Sequence, residues 1–213
     1  MSLFITFEGV EGCGKSTQAK TLYRRLLKES LYAVLTYEPG GTPIGDKLGE
    51  WLKKAGHEVT PQTELLLFNA ARALSVAEVI KPNLEKRRVV ISDRYTDSTT
   101  VYQGYGRGLD LNLVKIMNHT ATGGLKPELT ILLDIPVDTG LARKEEHDRF
   151  EQEEIAFHER VREGYLTLAR AEPERWLVID ASQSQEATAE IIWQRVSELI
   201  ASKVTLSDKS SGG

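Results

Sequence analysis

This sequence of 213 residues contains little of what marks secreted, membrane or nucleic-acid-binding proteins. Its single cysteine, Cys13, cannot form an internal disulfide, which fits a reducing compartment. The 27 Lys and Arg residues are outnumbered by 31 Asp and Glu, so no basic field attracts nucleic acid. No apolar run approaches the roughly 18 residues of a membrane span, and no leader-like segment begins the chain. We therefore expect a cytoplasmic protein without membrane or nucleic-acid partners.

The signatures of several other enzyme classes are missing as well. The four histidines, at positions 57, 119, 147 and 158, lack the spacing of metal ligands. Neither the G-x-S-x-G turn of many hydrolases nor the Asn-Lys-x-Asp motif of GTPases occurs. Apolar residues make up 40% of the chain, which is ordinary for a globular domain with a sizeable core.

A phosphate-binding loop lies near the start of the chain. The sequence GVEGCGKST at 9–17 fits G-x-x-x-x-G-K-[ST], between an apolar, β-favouring run at 3–7 and a helical pattern at 18–27. An accidental glycine-rich turn would lack this strand and helix. Glycines let successive backbone N–H groups converge on phosphate oxygens, and the helix N-terminus adds positive charge. The predicted ATP-binding residues are Gly9, Val10, Glu11, Gly12, Cys13, Gly14, Lys15, Ser16 and Thr17.

Alternation of strand and helix patterns predicts an α/β fold, a five-stranded parallel sheet with helices on both faces. The strands are expected at 3–7, 32–37, 89–92, 129–134 and 176–180. The helices are expected at 18–27, 44–54, 62–80, 109–122, 137–144, 151–171 and 186–200, with mixed helix and loop at 95–106. One domain should span 1–206, with a short lid at about 143–150 and a disordered tail at 207–213.

The predicted helix 62–80 carries both an interface signal and a binding signal. It is apolar on nearly every side, which predicts that it is buried or contacts a partner, and Thr60 and Pro61 suit its first turn. Phe68 and Arg72 are four residues apart and share one face, so a ring and a guanidinium could hold a planar base. The alternative for Phe68 and Arg72 is ordinary packing in the protein core.

Asp93 and Arg94 directly follow the third predicted strand, at the sheet edge where ligands bind. A carboxylate there suits the Mg²⁺ of a P-loop enzyme, and a guanidinium beside it suits a second phosphate. The alternatives are a helix cap for Asp93 and a surface ion pair for Arg94. Further along, Arg143, Lys144 and Arg149 bracket a charged stretch that is typical of a mobile lid or of a solvated charge run.

Six motifs together resemble the thymidylate kinase family of P-loop nucleoside monophosphate kinases, in its bacterial form. They occur in the family's order along almost the whole chain, to about residue 180. The motifs are FEGVEGCGKST at 7–17, EPGGT at 38–42, LLFNAAR at 66–72, DRY at 93–95, YQG at 102–104 and DRFE at 148–151. The phosphate loop is generic, but the other segments together are highly specific.

The resemblance implies transfer of the ATP γ-phosphoryl group to dTMP, giving dTDP, with Mg²⁺ supported by Ser16 and Asp93. In such enzymes the phenyl ring at Phe68 stacks on thymine and Arg72 binds its carbonyl edge. The implied catalytic residues are Lys15, Asp93, Arg94, Arg143 and Arg149. The implied dTMP site comprises Glu11, Glu38, Phe68, Arg72, Arg94, Ser98, Thr99, Tyr102 and Gln103. Members of the family are usually homodimers.

Two departures and two alternatives accompany this resemblance. Many relatives have arginine before the Glu-Pro-Gly-Gly turn, where this chain has Tyr37, so a phosphate contact is lost or replaced. The lid is short and mixed in charge, which leaves its catalytic arginine open. The chain could instead phosphorylate another monophosphate, or bind nucleotides without catalysis; against the second, all the expected catalytic residues are present.

Overall fold

The computed structural model describes residues 2–54, 59–143 and 148–210, the last seven by backbone alone. The strands are β1 Leu3–Glu8, β2 Ala33–Tyr37, β3 Val89–Asp93, β4 Leu129–Asp134 and β5 Trp176–Asp180. The helices are α1 Lys15–Lys28, α2 Pro43–Lys53, α3 Pro61–Ser75, α4 Lys81–Glu85, α5 Thr96–Thr99, α6 Leu111–Thr122, α7 Val137–Leu141, α8 Ile155–Ala171 and α9 Gln185–Ser210. Two π-helical segments, Val76–Ile80 and Thr100–Gly106, continue α3 and α5.

The five strands form one parallel sheet in the order β2-β3-β1-β4-β5, which confirms the predicted α/β fold. The register pairs Phe7 with Asp93 on one side of β1 and with Ile131 on the other. Tyr37 at the end of β2 also pairs with Asp93. All strands therefore end at one edge of the sheet, where the phosphate loop follows β1 and Arg94 follows β3.

Helices cover both faces of the sheet. Successive residues of a strand point to opposite faces, so neighbouring residues of β1 lie in different apolar clusters. Leu3 and Ile5 of β1 lie in a large core cluster with Leu22 of α1. Phe4, between them, lies in a second cluster with Ile80 of the first π-helical segment. The predicted buried strands thus owe their continuous apolar character to helices on both sides.

Helix α3 begins where the sequence indicates, and its continuation is less regular. The Thr60 side chain accepts a hydrogen bond from the Thr63 backbone N–H, and Pro61 occupies the first turn. After Ser75 the chain widens into the π-helical segment, a geometry that sequence periodicity does not predict. The segment 95–106, predicted as mixed helix and loop, is helical from Thr96 to Gly106.

Several predicted helix boundaries were wrong. Helix α7 ends at Leu141 and α8 begins only at Ile155, and Asp148 holds the residues directly after it in a turn. The Asp148 carboxylate accepts the backbone N–H groups of Phe150 and Glu151 at 2.9 and 3.1 Å. Helix α9 runs past its predicted end at residue 200 and reaches Ser210, inside the predicted tail. Residues 144–147 of the predicted lid and 211–213 lie outside the described residues.

Candidate active site

A cavity of about 580 Å³ opens at the carboxyl edge of the sheet. Sixteen of the predicted site residues line it: Glu11, Gly12, Gly14, Lys15, Ser16, Thr17, Glu38, Phe68, Arg72, Asp93, Arg94, Ser98, Thr99, Tyr102, Gln103 and Arg143. Four predicted site residues are not part of its lining: Gly9, Val10, Cys13 and Arg149. The cavity extends from the phosphate loop to α3, so one space connects both predicted substrate sites.

The phosphate loop depends on glycine at its tightest points. Gly12 and Gly14 have φ angles of 68° and 94°, in the left-handed region that other residues rarely adopt. A Cβ atom at Gly12 would lie 1.9 Å from the carbonyl oxygen of Gly140, so α7 packs directly on the loop. The Cys13 side chain, 3% exposed, belongs to the core cluster. Cys13 can therefore contribute its backbone N–H to a phosphate site, whereas its thiol packs in the core and not in the cavity lining.

Lys15 and Ser16 connect the loop to the end of β3. The Lys15 Nζ donates hydrogen bonds to the carbonyl oxygens of Gly9 and Val10, at 3.0 and 2.8 Å. The Ser16 hydroxyl donates to the Asp93 carboxylate. A hydroxyl and a carboxylate side by side suit Mg²⁺, which takes few protein oxygens and completes its shell with water and phosphates. Among the described residues there is no cluster of three His, Cys, Asp or Glu that could hold a metal alone.

Arg94 is the centre of a charged cluster at the middle of the cavity. Its φ of 73° turns the backbone sharply after β3, and its N–H donates to the Phe7 carbonyl oxygen at 2.9 Å. The guanidinium donates to Glu11 Oε1 at 2.6 Å, and the Tyr102 hydroxyl donates to the same oxygen at 2.7 Å. Three predicted site residues, Glu11, Arg94 and Tyr102, are therefore in contact.

Glu8, fully buried at the end of β1, supports this cluster from below. Its carboxylate accepts the Ser98 and Tyr165 hydroxyl groups at 2.6 and 2.8 Å and the Tyr95 backbone N–H at 2.8 Å. Burial raises the pKa of Glu8 to about 7, and the nearby Asp97 carboxylate adds to the increase. Since Ser98 also accepts a 3.2 Å bond from Arg94, Glu8 helps to fix the arginine.

Arg72 is both a core residue and a cavity residue, so the two alternatives for it are not exclusive. The residue is 1% exposed, and its Nε donates to Glu38 at 2.7 Å. Its other nitrogens donate to Asn118 at 2.9 Å and to the Tyr95 carbonyl oxygen at 3.0 Å. Burial raises the pKa of Glu38, and the positive charge of Arg72 opposes that shift. These contacts fix the guanidinium one helical turn from the half-buried Phe68 ring.

The DRFE motif closes one side of the cavity through its aromatic residue. The Phe150 ring centroid lies 5.7 Å from that of Phe68 and 6.2 Å from that of Tyr102. These separations are typical of interacting aromatic pairs. Phe150 is buried and lines the cavity, yet sequence reasoning gave it no role. Its place in a family motif was the available signal.

The structure places the two predicted lid arginines differently. Arg143 lines the cavity, and its guanidinium lies 3.5 Å from the carbonyl oxygens of Gly12 and Ala181. Arg149 instead donates to Glu64 Oε2 at 2.6 Å and to the Leu52 carbonyl oxygen at 2.9 Å. The structure therefore does not bring Arg149 to the phosphate loop, because a buried carboxylate of α3 holds it.

Tyr37 lies at the end of β2, directly before the Glu-Pro-Gly-Gly turn, where the family resemblance led us to expect an arginine. Its hydroxyl donates to Asp46 at 2.7 Å, and the same Asp46 oxygen accepts the Gly41 backbone N–H at 3.0 Å. A Cβ atom at Gly40 would lie 2.2 Å from the Tyr37 ring. Tyr37 thus packs on the Glu-Pro-Gly-Gly turn and joins it to α2, a structural role that a phosphate-binding arginine would not have.

A sequence model of the family described as thymidylate kinase matches residues 7–192 of this chain. The chain belongs to the thymidylate kinase family. It is 55% identical to the thymidylate kinase of Dehalococcoides mccartyi strain BAV1 over 203 residues, 94% of this chain and 98% of that one. It is 49% identical to the Thermomicrobium roseum thymidylate kinase over 204 residues, 94% and 97% of the two chains.

A solved structure agrees with this membership. The crystal structure of thymidylate kinase from Ehrlichia chaffeensis superposes with a TM-score of 0.72 at 35% sequence identity. The match covers 84% of this chain and 92% of that one. The thymidylate kinase fold thus accounts for the sheet and its helices. Of the helices described here, none is both long enough and apolar enough to cross a membrane.

Proposed function

We propose that this protein transfers the γ-phosphoryl group of ATP to dTMP, giving dTDP and ADP. Membership of the thymidylate kinase family supports the reaction. The observation that carries the assignment of the site is the single cavity shared by Lys15, Arg94 and Arg72. It offers a phosphate loop, a second cationic position and a base pocket within one continuous space, as direct transfer between two nucleotides requires.

ATP is assigned to the phosphate-loop side of the cavity. Backbone N–H groups of residues 9–17 and the N-terminus of α1 would bind the phosphates, with Lys15 directed at the β- and γ-groups. Mg²⁺ would be held by Ser16 and Asp93 and would neutralise charge on the phosphates when bound. Lys15 contacts the Gly9 and Val10 carbonyl oxygens, so its ammonium lies inside the loop, where it could reach the phosphates.

dTMP is assigned to the side of the cavity formed by α3 and the second π-helical segment. Arg94 would bind its phosphate, and Glu11 and Tyr102 would lie by the sugar. Phe68 would stack on thymine, while Arg72 and Gln103 would face the polar edge of the base. Ser98 and Thr99 complete the lining, and Glu38 acts through Arg72, which it holds at 2.7 Å.

In the transfer step an oxygen of the dTMP phosphate forms a bond to the γ-phosphorus. The bond between that phosphorus and the oxygen shared with the β-phosphate breaks, and ADP leaves with the electron pair. Charge spreads over the equatorial oxygens as this happens, so cations aimed at them stabilise the transition state. Of the cations that line the cavity, Lys15 lies in the phosphate loop and Arg143 lies beside Gly12, so we assign these two to the transferring group, while Arg94 would hold the acceptor phosphate.

The finer features of the protein are inferred in the same way. Helices α2, α3 and α6 carry exposed apolar side chains, namely Ile44, Trp51, Leu66, Leu111, Leu113 and Ile116. A second copy of this chain is the partner that the family suggests for them. We infer a homodimer through this face. We also infer one domain over 1–206 with a lid at about 143–150, and a cytoplasmic location without nucleic-acid or membrane partners.

A coupled assay of ADP formation with dTMP, dUMP, dCMP and dGMP tests the proposal. We expect the highest kcat/KM with dTMP, because the base pocket is built around polar groups that a wrong base leaves unpaired. A preference for another nucleotide would make the protein a kinase for that monophosphate. ADP formation at the background rate with every acceptor would favour a nucleotide-binding protein without catalysis.

A further inference from the structure

Glu64 is a fully buried carboxylate on α3 for which the reaction itself gives no role. It accepts a hydrogen bond from Gln103 Nε2 at 2.7 Å and forms an ion pair with Arg149 at 2.6 Å. Arg107 donates to both of its oxygens, at 3.2 and 3.3 Å. Burying a carboxylate costs free energy unless hydrogen bonds and opposite charges compensate the lost hydration. The three donors supply this compensation only in this arrangement, so they fix the position of the carboxylate.

The chemistry of a glutamine amide explains why this contact matters. An amide presents an N–H donor beside a carbonyl acceptor, and a rotation by 180° exchanges the two. Thymine offers an N3–H donor beside a carbonyl acceptor, whereas cytosine offers an N3 acceptor beside an amino donor. A freely turning Gln103 would therefore match both bases, and alone it could not distinguish them.

Glu64 removes that freedom. An ionised carboxylate only accepts hydrogen bonds, so the nitrogen of Gln103 must face it. The reversed amide would set two oxygens against each other at the 2.7 Å separation of this contact. Because Gln103 lines the cavity, the atoms left for a base are Oε1 and the remaining N–H. That donor and acceptor pair complements thymine and opposes cytosine.

We propose that Glu64 is a positioning residue for base selection, which locks the Gln103 amide in the orientation that fits thymine. The inference rests on the proposed function, since it requires the base to lie between Phe68 and Gln103. The same carboxylate holds Arg149 of the DRFE motif, so the segment that carries Phe150 is anchored to the base pocket. Arg149 thus belongs to the recognition side of the site through Glu64.

The test compares kcat/KM for dTMP, dUMP and dCMP in the parent and in Glu64→Gln. A neutral amide at position 64 both donates and accepts, so the Gln103 amide can turn. We expect the preference for dTMP over dCMP to fall about tenfold or more, because a site loses discrimination when its polar groups can re-pair. The ratio of dTMP to dUMP should stay parental, since thymine and uracil share the N3–H edge.

Glu153→Gln is the matched control. Glu153 pairs with Arg107 at 2.6 Å on the outer side of the same cluster and makes no contact with Gln103 described here. It should keep parental values for all three nucleotides. Because Glu64→Gln removes a counter-ion from two guanidinium groups, a second variant combines it with Arg149→Gln and restores the net charge. A loss of kcat that is equal for all nucleotides cancels in the ratio of kcat/KM for dTMP to kcat/KM for dCMP. The double variant can therefore be compared with the parent through the same ratio.

The outcomes separate the inference from the proposed function. If both variants fold, by circular dichroism, and keep the parental ratio of dTMP to dCMP, Glu64 does not position Gln103. An equal fall in the dTMP to dUMP ratio would show general loosening of the pocket and also overturn the proposal. Gln103→Met tests the base site itself: a parental dTMP to dCMP ratio there would mean that the base binds elsewhere.

Discussion

At the scale of single residues, Arg143 and Arg149 have separate tasks in this structure. Arg143 lines the cavity beside Gly12, whereas Arg149 is held by Glu64. We expect Arg143→Ala to lower kcat and kcat/KM together by about 10³-fold, as for an arginine that stabilises the transition state. Arg149→Ala should act mainly on KM for dTMP, because it disturbs the base pocket. Steady-state kinetics with dTMP and ATP varied separately measures both effects.

Arg170→Ala provides the control for this pair of variants. Arg170 is well exposed on α8 and pairs with Glu163, and such surface pairs contribute about 0–1 kcal/mol. It should leave both kinetic constants unchanged. A large loss of kcat in Arg149→Ala, with parental kcat in Arg143→Ala, would instead assign the catalytic cation to Arg149.

Sequence reasoning succeeded where chemistry is local and failed where it is not. The phosphate loop could be predicted because its glycines, Lys15 and Ser16 are adjacent in the chain and flanked by matching elements. The Glu64 cluster could not, because its partners lie 39 to 85 residues away and a glutamate on an apolar helix resembles a surface residue. Tyr165 was missed for the same reason: its contact with Glu8 spans 157 residues.

At the scale of elements, the apolar character of α3 has two origins. Its buried face packs between α2 and α6, while Leu66 on the opposite face is 55% exposed. On the adjacent α6, Ile116 is 63% exposed. We expect the parent to be a dimer in solution and the variant Leu66→Glu with Ile116→Glu to be a monomer, since charges in an apolar interface stay unpaired. Light scattering coupled to gel filtration measures the masses.

Ile191→Glu serves as the control for the interface. This side chain is exposed on α9, which packs against α1 rather than α3, so the variant should remain dimeric. A parent that elutes as a monomer at micromolar concentration would contradict the inferred dimer. So would a double variant that keeps the parental mass.

At the scale of the whole molecule, Glu8 should make stability depend on pH. Burial raises its pKa from 4.5 to about 7, so its stabilising contribution is complete below pH 4.5 and is lost as pH rises through 7. Over that range the loss is about 3 kcal/mol. Glu8→Gln has no such group, so its melting temperature relative to the parent should increase from pH 5 to pH 8. Titrating groups that do not interact with Glu8 are shared by the two proteins and cancel in this difference.

Calorimetry or fluorescence melts of both proteins, at matched ionic strength, give the comparison. A difference in melting temperature that stays constant over this pH range would show that Glu8 does not titrate there. In that case the Glu8, Ser98 and Tyr165 cluster would hold a carboxylate of ordinary pKa.

Direct phosphoryl transfer from ATP to dTMP within one cavity is tested most directly with labelled ATP. With ATP carrying ³²P at the γ-position, we expect the label to appear in dTDP in step with ADP, only when dTMP is present. Lys15→Ala should abolish the transfer while the protein stays folded, because its ammonium serves the phosphates and not the core. Release of the label as inorganic phosphate, at a rate independent of dTMP, would contradict the account.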